Sequence, residues 1–275
     1  METNLSVELA GLAVRWDELD VLIAAARAYP VDKAAHISIC RSTAVLTCSH
    51  FEGAVKAVSK AMVRDVLEQG SFRDLPTEMQ MRFTESVLLG NKPIDEGTKK
   101  DICRKLCNGY FHPDSIEVCS LFDHDSHITG GALEKWAKYF GVRQLLSIIK
   151  GSGLEEAFEG DTQRTTAMLH YLENLGLNGS STFPYTFAES EDADDCSISF
   201  NKLNIFQGES MFQLFLENTF NRRHAIAHGV DLTSSVGVKG LEGDILKMKL
   251  ILLGYVITVG QSLSASFSEE SPPTD

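Results

Sequence analysis

The feature of this sequence that most constrains its fold is the helical spacing of apolar residues in long segments at both ends of the chain. In the first segment, "NLSVELAGLAVRWDELDVLIAAARAY", apolar residues recur every three or four positions, and Pro30 then supplies a stop. The next, "AHISICRSTAVLTCSHFEGAVKAVSKAMVRDVLEQG", has one apolar stripe and ends at Gly70, a typical C-terminal cap. Strand patterns are scarce throughout. The sequence therefore predicts an all-α protein whose long helices pack as a bundle.

The middle of the chain, about residues 71–175, carries shorter helical patterns that predict an insertion of further helices. The clearest are "LPTEMQMRFTESVLL", "DEGTKKDICRKLC", "GGALEKWAKYFGV" and "QRTTAMLHYLENL". The stretch "NGSSTFPYTFAESEDADDCS" is polar and acidic, which predicts a long, flexible loop over about residues 176–198. After it, "CSISFNKLNIF" alternates enough to favour a short strand or an extended arm.

Two more helical patterns lie near the end of the chain. The segment "GESMFQLFLENTFNRRHAIAHG" begins with Ser210 and Gln213 in capping-box positions and stops at Gly229. The segment "EGDILKMKLILLGYVITVGQSLSASF" is apolar nearly all round, which predicts a helix at the centre of the bundle. We therefore expect one helical domain over residues 1–267 and a disordered tail over residues 268–275.

The charge balance restricts the partners of the folded body. Lys and Arg total 25 against 38 Asp and Glu, a net charge of −13, which argues against a protein that coats nucleic acid non-specifically. Eight of the acidic residues lie in "ESEDADD" and in the tail, and without them the net charge is −5. A local basic site on the folded body is therefore compatible with the composition.

The cysteines and the hydropathy indicate a compartment. No apolar signal segment accompanies the six cysteines, which favours a reducing, cytoplasmic location. Cys103 and Cys107 have a spacing that zinc can use, but no second ligand pair matches them, and we expect no metal and no other cofactor. The longest apolar run, "LILLGYVITVG", is shorter than the ~20 residues that span a bilayer, so no membrane association is expected.

The stretch "ENTFNRRHAIAHGVDL" places two arginines and two histidines within seven residues, from Arg222 to His228. On a helix, His224 and His228 share a face, and Arg223 and His228 project in neighbouring directions where the helix ends. A permanently charged guanidinium binds phosphate through two hydrogen bonds, and an imidazole can transfer a proton near neutral pH. The pairing is therefore suited to phosphodiester chemistry.

Two other interpretations of the same stretch remain open. Cationic side chains in the last turn of a helix interact favourably with its carbonyl end, and Gly229 is an ordinary terminator, so the cluster can be purely structural. His224 and His228 can also be viewed as a zinc pair, although the glutamate of the HExxH pattern and a third ligand are missing.

The octet "RRHAIAHG" resembles the signature of the HEPN superfamily, small helical bundles in which an arginine, four to six residues and a histidine form a ribonuclease site. The commonest form reads "RNxIAHG", and this chain has His224 in place of the asparagine. Two further blocks are similar to the bacterial branch related to the RiboL-PSP group and occur in the same order, "CRSTAVLTCSHFEGAVKAV" and "GGALEKWAKYFGV". The resemblance spans Asn4 to Phe267.

The resemblance implies an up-and-down helical bundle and a metal-independent endoribonuclease. In such an enzyme the ribose 2′-hydroxyl of the RNA attacks the adjacent phosphate and leaves a 2′,3′-cyclic phosphate. His228 resembles the catalytic acid/base, Arg223 the phosphate-binding arginine, and His224 the polar residue that orients them. Arg222 would be auxiliary. A homodimer is also implied, because the sites of the family face each other across a two-fold groove.

Glu52 matches an acidic position in the second helix of the family and would hold Arg223 or His228 in place. An ion pair with Lys56, four residues further along the same helix, explains Glu52 equally well. Both alternatives stay open, and Glu52 and Lys56 join Arg222 as candidate auxiliary residues for substrate binding.

Two features bear on regulation and metal binding. Leu232 stands where family members that are modified by a partner nucleotidyltransferase carry a tyrosine, so we do not expect that modification. The cluster "FDHDSH" contains side chains that can bind a metal, but a polar loop between helices explains it better.

We expect an RNA endonuclease of the toxin or defence kind, with RNA as its substrate and an antitoxin or a defence-system protein as a further partner. The alternative is a non-catalytic module of the same fold that binds a nucleotide, RNA or a protein through the groove. Degenerate members of the family usually lose the arginine or the histidine, whereas this chain keeps Arg223 and His228, which favours the enzyme.

Overall fold

The computed structural model of the chain describes residues 2–85, 94–108, 122, 128–187, 198, 200, 208–229 and 237–269. All regular secondary structure in these ranges is helical, which confirms the all-α bundle. The α-helices are α1 (Asn4–Arg27), α2 (Ala34–Gln69), α3 (Thr77–Phe83), α4 (Glu96–Asn108), α5 (Gly130–Tyr139), α6 (Leu145–Gly151), α7 (Thr162–Gly179), α8 (Met211–Ala227) and α9 (Val238–Glu269). Two 3₁₀ turns, Phe72–Asp74 and Leu154–Phe158, precede α3 and α7.

α1 and α2 form an antiparallel pair that packs along most of the length of α1. Thr3 caps α1, since its hydroxyl accepts a hydrogen bond from the Ser6 N–H at 3.0 Å. The apolar stripe predicted for α1 is buried, with exposures of 7% or less for Leu9, Leu12, Trp16, Leu19 and Ile23. α2 ends at Gly70, as predicted. The first two helices therefore follow from local pattern alone.

α9 is the central helix of the bundle, which confirms the prediction made for its apolar segment. Residues 250–260 are all buried, and the helix packs against α1, α2, α6, α7 and α8. In the core the hydroxyls of Tyr255 and Ser59 are joined by a hydrogen bond of 2.8 Å. By length and composition Val238–Phe267 could cross a membrane, but most of its apolar window is buried inside the bundle, as in a core helix.

The four helices predicted for the middle of the chain are confirmed, and the structure adds one more; that they form an insertion stays a prediction. The four quoted patterns correspond to α3, α4, α5 and α7. α6 was not predicted, because its seven residues, "LLSIIKG", are too few to display a helical period.

The side-chain amide of Gln80 ties α3, α4 and the turn before α3 together. Its Nε2 donates to the carbonyl oxygens of Leu75 at 2.7 Å and Arg73 at 2.8 Å. The thiols of Cys103 and Cys107 donate to its Oε1 at 3.5 Å and 3.3 Å. The two cysteines with zinc-compatible spacing thus face an amide oxygen.

The loop after α7 begins later than the predicted residue 176. α7 continues to Gly179, and beyond it Tyr185 and Phe187 are buried at 4% and 7% exposure. These aromatic side chains are buried although their neighbours in the chain are polar, because glycines leave space for the Phe187 ring. A Cβ on Gly179 would lie 2.3 Å from the Phe187 ring, and one on Gly260 2.5 Å from it. Residues 188–197, with the acidic cluster, lie outside the described residues.

The predicted strand or arm, "CSISFNKLNIF", lies mostly outside the described residues. Ile198 and Phe200 are described, and both are buried at 5% exposure without belonging to a strand. The "FDHDSH" cluster after Phe122, the position Leu232 and the tail after residue 269 also lie outside the described part.

A buried carboxylate on α2 fixes the start of α1. Asp65 is 2% exposed, and its oxygens accept hydrogen bonds from the backbone N–H groups of Asn4 at 2.7 Å and Leu5 at 3.0 Å. The Asn4 amide and the Tyr185 hydroxyl donate to it at 2.9 Å and 2.7 Å. The first turn of α1, α2 and the chain after α7 therefore meet at one charged group.

We predict that Asp65→Asn lowers the free energy of unfolding by about 2–3 kcal/mol, because hydrogen bonds to a charged group are lost and buried donors are left unsatisfied. Urea denaturation followed by circular dichroism measures the change. Asp20→Asn, on the exposed face of α1, is the matched control and should change stability by less than about 0.5 kcal/mol. Equal losses in the two variants would contradict the role assigned to Asp65.

Candidate active site

α8, which carries the Arg and His motif, is fixed at its start by a carboxylate from another element. Ser210 is the N-cap residue, and its hydroxyl accepts from the Phe212 N–H at 3.2 Å. Glu155 Oε1 accepts from the Met211 N–H at 2.6 Å and from the Ser210 hydroxyl at 2.7 Å. Ser210 is the cap residue that the sequence predicts, but the predicted capping box with Gln213 is wrong. Glu155 accepts the hydrogen bond in the first turn instead, and the Gln213 amide donates to Glu217 at 3.4 Å.

The end of α8 falls where the sequence predicts it. The helix ends at Ala227, and the His228 N–H donates to the His224 carbonyl at 3.0 Å. Gly229 follows with φ of +65°, in the left-handed region where a Cβ is disfavoured, and its N–H donates to the Ile226 carbonyl at 3.2 Å. The glycine therefore ends the helix directly after His228.

The two histidines share one face of the helix end, as predicted. Their ring centroids are 4.2 Å apart with an interplanar angle of 47°. Both side chains are exposed. The part of the chain that the structure describes contains no cluster of three or more His, Cys, Asp or Glu residues that could hold a metal, so the zinc pair gains no third ligand there.

The two arginines have different surroundings. Arg222 forms an ion pair through Nη2 with Asp244 Oδ2 of α9, and the two side chains are 29% and 16% exposed. Arg223 is half-buried and lies three residues beyond buried Phe220, so it continues the core-facing stripe of α8 to the helix end. Arg222 thus anchors α8 to α9, whereas Arg223 belongs to the side of α8 that faces the bundle.

The Cys48 thiol of α2 lies behind these arginines. It donates to the Thr219 carbonyl of α8 at 3.9 Å. Burial raises the pKa of Cys48 to about 12, and four charged side chains act on it in opposite directions. The positive charges of Arg222 and Arg223 lower this pKa. The negative charges of Glu52 and Asp244 raise it. The structure therefore brings three predicted site residues, Arg222, Arg223 and Glu52, into one electrostatic neighbourhood between α2, α8 and α9.

Glu52 has a partner that the sequence did not predict. It is half-buried, and its Oε1 accepts a hydrogen bond from the Ile128 N–H at 3.2 Å, just before α5 begins. The ion pair between Glu52 and Lys56 stays a prediction. The Ile128 donor could not be predicted from local spacing, because it lies 76 residues away in the chain. Whether Glu52 orients Arg223 or His228 stays a prediction.

Asp244 is the residue of this region that sequence reasoning missed. It lies near the start of α9, on a helix that is otherwise mostly apolar. An acidic residue on a mostly apolar helix indicates an ion pair, because buried charges are usually paired. Its partner, 22 residues earlier, could not be identified without the fold.

The residue types at this helix end are those that acid–base chemistry next to a positive charge requires. Arginine side chains stay protonated and can stabilise a phosphoryl oxygen, and an accessible imidazole can accept or donate a proton. His224 lies in the last turn of α8, Arg223 directly precedes it, and His228 follows the last helical residue. Glu155 and Asp244 fix the helix that carries these residues.

We predict that Gly229→Ala destabilises the protein by about 1–2 kcal/mol, because the new Cβ is strained in the left-handed region although nothing lies within 4 Å of it. Gly11→Ala in α1 is the matched control, since its Cβ would also meet nothing within 4 Å but the backbone there is helical. It should stabilise by about 0.5–1 kcal/mol. Urea midpoints that move in the same direction for both variants would contradict this explanation of the helix end.

No family model, curated protein or solved structure matches the chain in comparisons with known proteins.

Proposed function

We propose that the protein is a metal-independent endoribonuclease whose active site is formed by Arg223, His224 and His228. The single observation that carries the proposal is the end of α8. There the exposed His224 follows half-buried Arg223 directly, and its ring centroid is 4.2 Å from that of exposed His228. The likeness of "RRHAIAHG" to the HEPN motif supports the same assignment.

The proposed reaction needs a positive charge at the phosphate and groups that transfer protons. The 2′-oxygen of a ribose forms a bond to the adjacent phosphorus while the bond from phosphorus to the 5′-oxygen of the next nucleotide breaks. The 2′-hydroxyl loses a proton and the 5′-oxygen gains one, so no net proton is consumed. The products are a 2′,3′-cyclic phosphate and a 5′-hydroxyl, and no water or metal enters the step.

Each residue has a distinct role in this proposal. His228 transfers protons, because it is exposed at the end of the helix and its backbone is fixed between His224 and Gly229. His224 contacts the His228 ring and orients it. Arg223 binds the non-bridging phosphate oxygens and stabilises the charge that develops on them.

Arg222 is assigned a supporting role rather than phosphate binding. Its charge is matched by Asp244 in a half-buried ion pair. The pair sets the position of α8 against α9 and thereby the direction in which Arg223 leaves the helix. Glu52 acts on the same Cys48 thiol as the two arginines, and Lys56, one turn further along α2, completes the auxiliary set.

A homodimer follows naturally from this arrangement. Each copy offers one proton-transferring His228, whereas the reaction needs both a base and an acid. Two copies facing each other across a two-fold axis would supply both and would combine two weakly basic helix ends into one cleft. The net charge of −13 then slows the capture of RNA without opposing its binding in the cleft.

One observation favours a second candidate function. His224 and His228 are exposed, so in a single copy the helix end is a surface rather than a pocket. A non-catalytic module would use that surface to bind RNA, a nucleotide or an antitoxin-like protein. Binding of RNA without cleavage would identify this module.

We predict that the purified protein cleaves RNA in the presence of EDTA and that Arg223→Ala and His228→Ala each lower the rate by on the order of 10²–10⁴, the effect of removing a charge stabiliser or an acid/base. Cleavage of a fluorescently labelled oligoribonucleotide measures the rate. Arg104→Ala and His170→Ala are the matched controls, since both side chains are exposed and lie on α4 and α7.

The controls should retain the full rate, and circular dichroism should show that all four variants are folded. Cleavage that persists in both Arg223→Ala and His228→Ala would refute the proposed site. Cleavage that is lost in EDTA and restored by a divalent metal would refute the metal-independent mechanism.

A further inference from the structure

A second concentration of positive charge lies away from α8, in a cleft between α3, α4 and α5. The cleft has a volume of about 730 Å³. Six basic side chains line it: Arg82, Lys99, Lys100, Lys135, Lys138 and Arg143. Three acidic side chains line it as well, so it carries an excess of positive charge in a protein whose net charge is −13.

The acidic side chains are matched by only part of the basic set. Glu85 is joined to Lys99 at 2.9 Å and to Arg82 at 3.8 Å, and Glu96 is 3.8 Å from Lys99. Glu78 is 3.8 Å from Arg143.

The other three basic side chains line the cleft from two helices. Lys100 lies on α4, whereas Lys135 and Lys138 lie on α5. They form no ion pair with the described residues and are exposed at the cleft. Charges that repel one another across a cleft are stabilised when an anion lies between them.

The floor of the cleft is less hydrated than its walls. The side chains of Arg82 and Lys99 are each 16% exposed. The pKa of the Glu85 carboxyl is lowered, chiefly by the hydrogen bond from Lys99 and also by the charges of Arg82 and Lys135. The basic side chains of three helices therefore converge on one point.

Tyr139 completes the floor and offers a hydrogen-bond donor. It is 8% exposed, and its hydroxyl has no hydrogen-bond partner among the described residues. Burial raises the pKa of Tyr139, so the hydroxyl keeps its proton. A buried hydroxyl without a partner is unfavourable, and an acceptor oxygen of a ligand that reaches it would remove part of that cost.

We infer that this cleft binds a small ligand with two or three linked phosphate groups. Linked phosphates place several negative charges within a few ångströms, which matches basic residues on facing helices. The volume is that of a small-molecule pocket, for which about 300–1,000 Å³ is usual. The carboxylates of Glu78, Glu85 and Glu96 interrupt the basic surface, which disfavours a long phosphodiester backbone. The inference does not rest on the ribonuclease proposal, because it uses other helices.

Calorimetric titration of the full-length protein in EDTA and low salt tests the inference, with sodium tripolyphosphate and ATP as the two probes. We expect both to bind and the affinity to fall with salt. The double variant Lys135→Gln/Lys138→Gln should weaken binding at least about tenfold. The control Lys33→Gln/Lys105→Gln, with both lysines exposed and outside the cleft, should bind as the unaltered protein does.

Comparison of the two probes distinguishes a site for linked phosphates alone from a site for a nucleoside triphosphate. Equal affinities would show that the linked phosphates alone are recognised, and tighter binding of ATP would add a nucleoside contact. Tyr139→Phe should weaken both probes without lowering stability. Failure of both probes to bind, or equal binding by the two double variants, would overturn the inference. So would an oligoribonucleotide that binds more tightly than ATP and loses binding in Lys135→Gln/Lys138→Gln.

Discussion

The burial of α9 in the middle of the bundle is the constraint on which the rest of the structure depends. Its residues 250–260 contact other helices on every side, and the hydrogen bond between Tyr255 and Ser59 joins it to α2 within the core. Burial of apolar surface on this scale is the main favourable term in folding. Because α9 begins beside the end of α8, its Asp244 can also pair with Arg222. The same helix therefore organises the core and positions the candidate active site.

Several elements could be predicted from the sequence because their information is local. The stripes of α1 and α2, the apolar α9 and the stop at Gly229 depend on residues within a few positions of one another. The partners of polar groups could not be predicted in this way. Glu155 at the start of α8, Asp244 on Arg222 and the Ile128 N–H on Glu52 are contacts between distant segments. The expected capping box was wrong for that reason.

Hydrophobic burial also overrode composition after α7. The stretch from Gly179 to Phe187 is polar on average, which predicts a loop, but its aromatic side chains fill space left by glycines. Tyr185 then reaches Asp65, the carboxylate that holds the start of α1. The mean polarity of a stretch does not predict such packing, because the packing depends on a few large side chains.

The end of α8 brings two arginines and two histidines together, with Arg222 paired to Asp244. The proposed cleavage of RNA at this helix end is tested most directly by the chemistry of the RNA ends that it would produce. Mass spectrometry of fragments produced in EDTA should find 2′,3′-cyclic phosphate and 5′-hydroxyl ends, because attack by the 2′-hydroxyl is the only step that Arg223, His224 and His228 are assigned. Fragments with 3′-hydroxyl and 5′-phosphate ends, or no fragments at all, would contradict it.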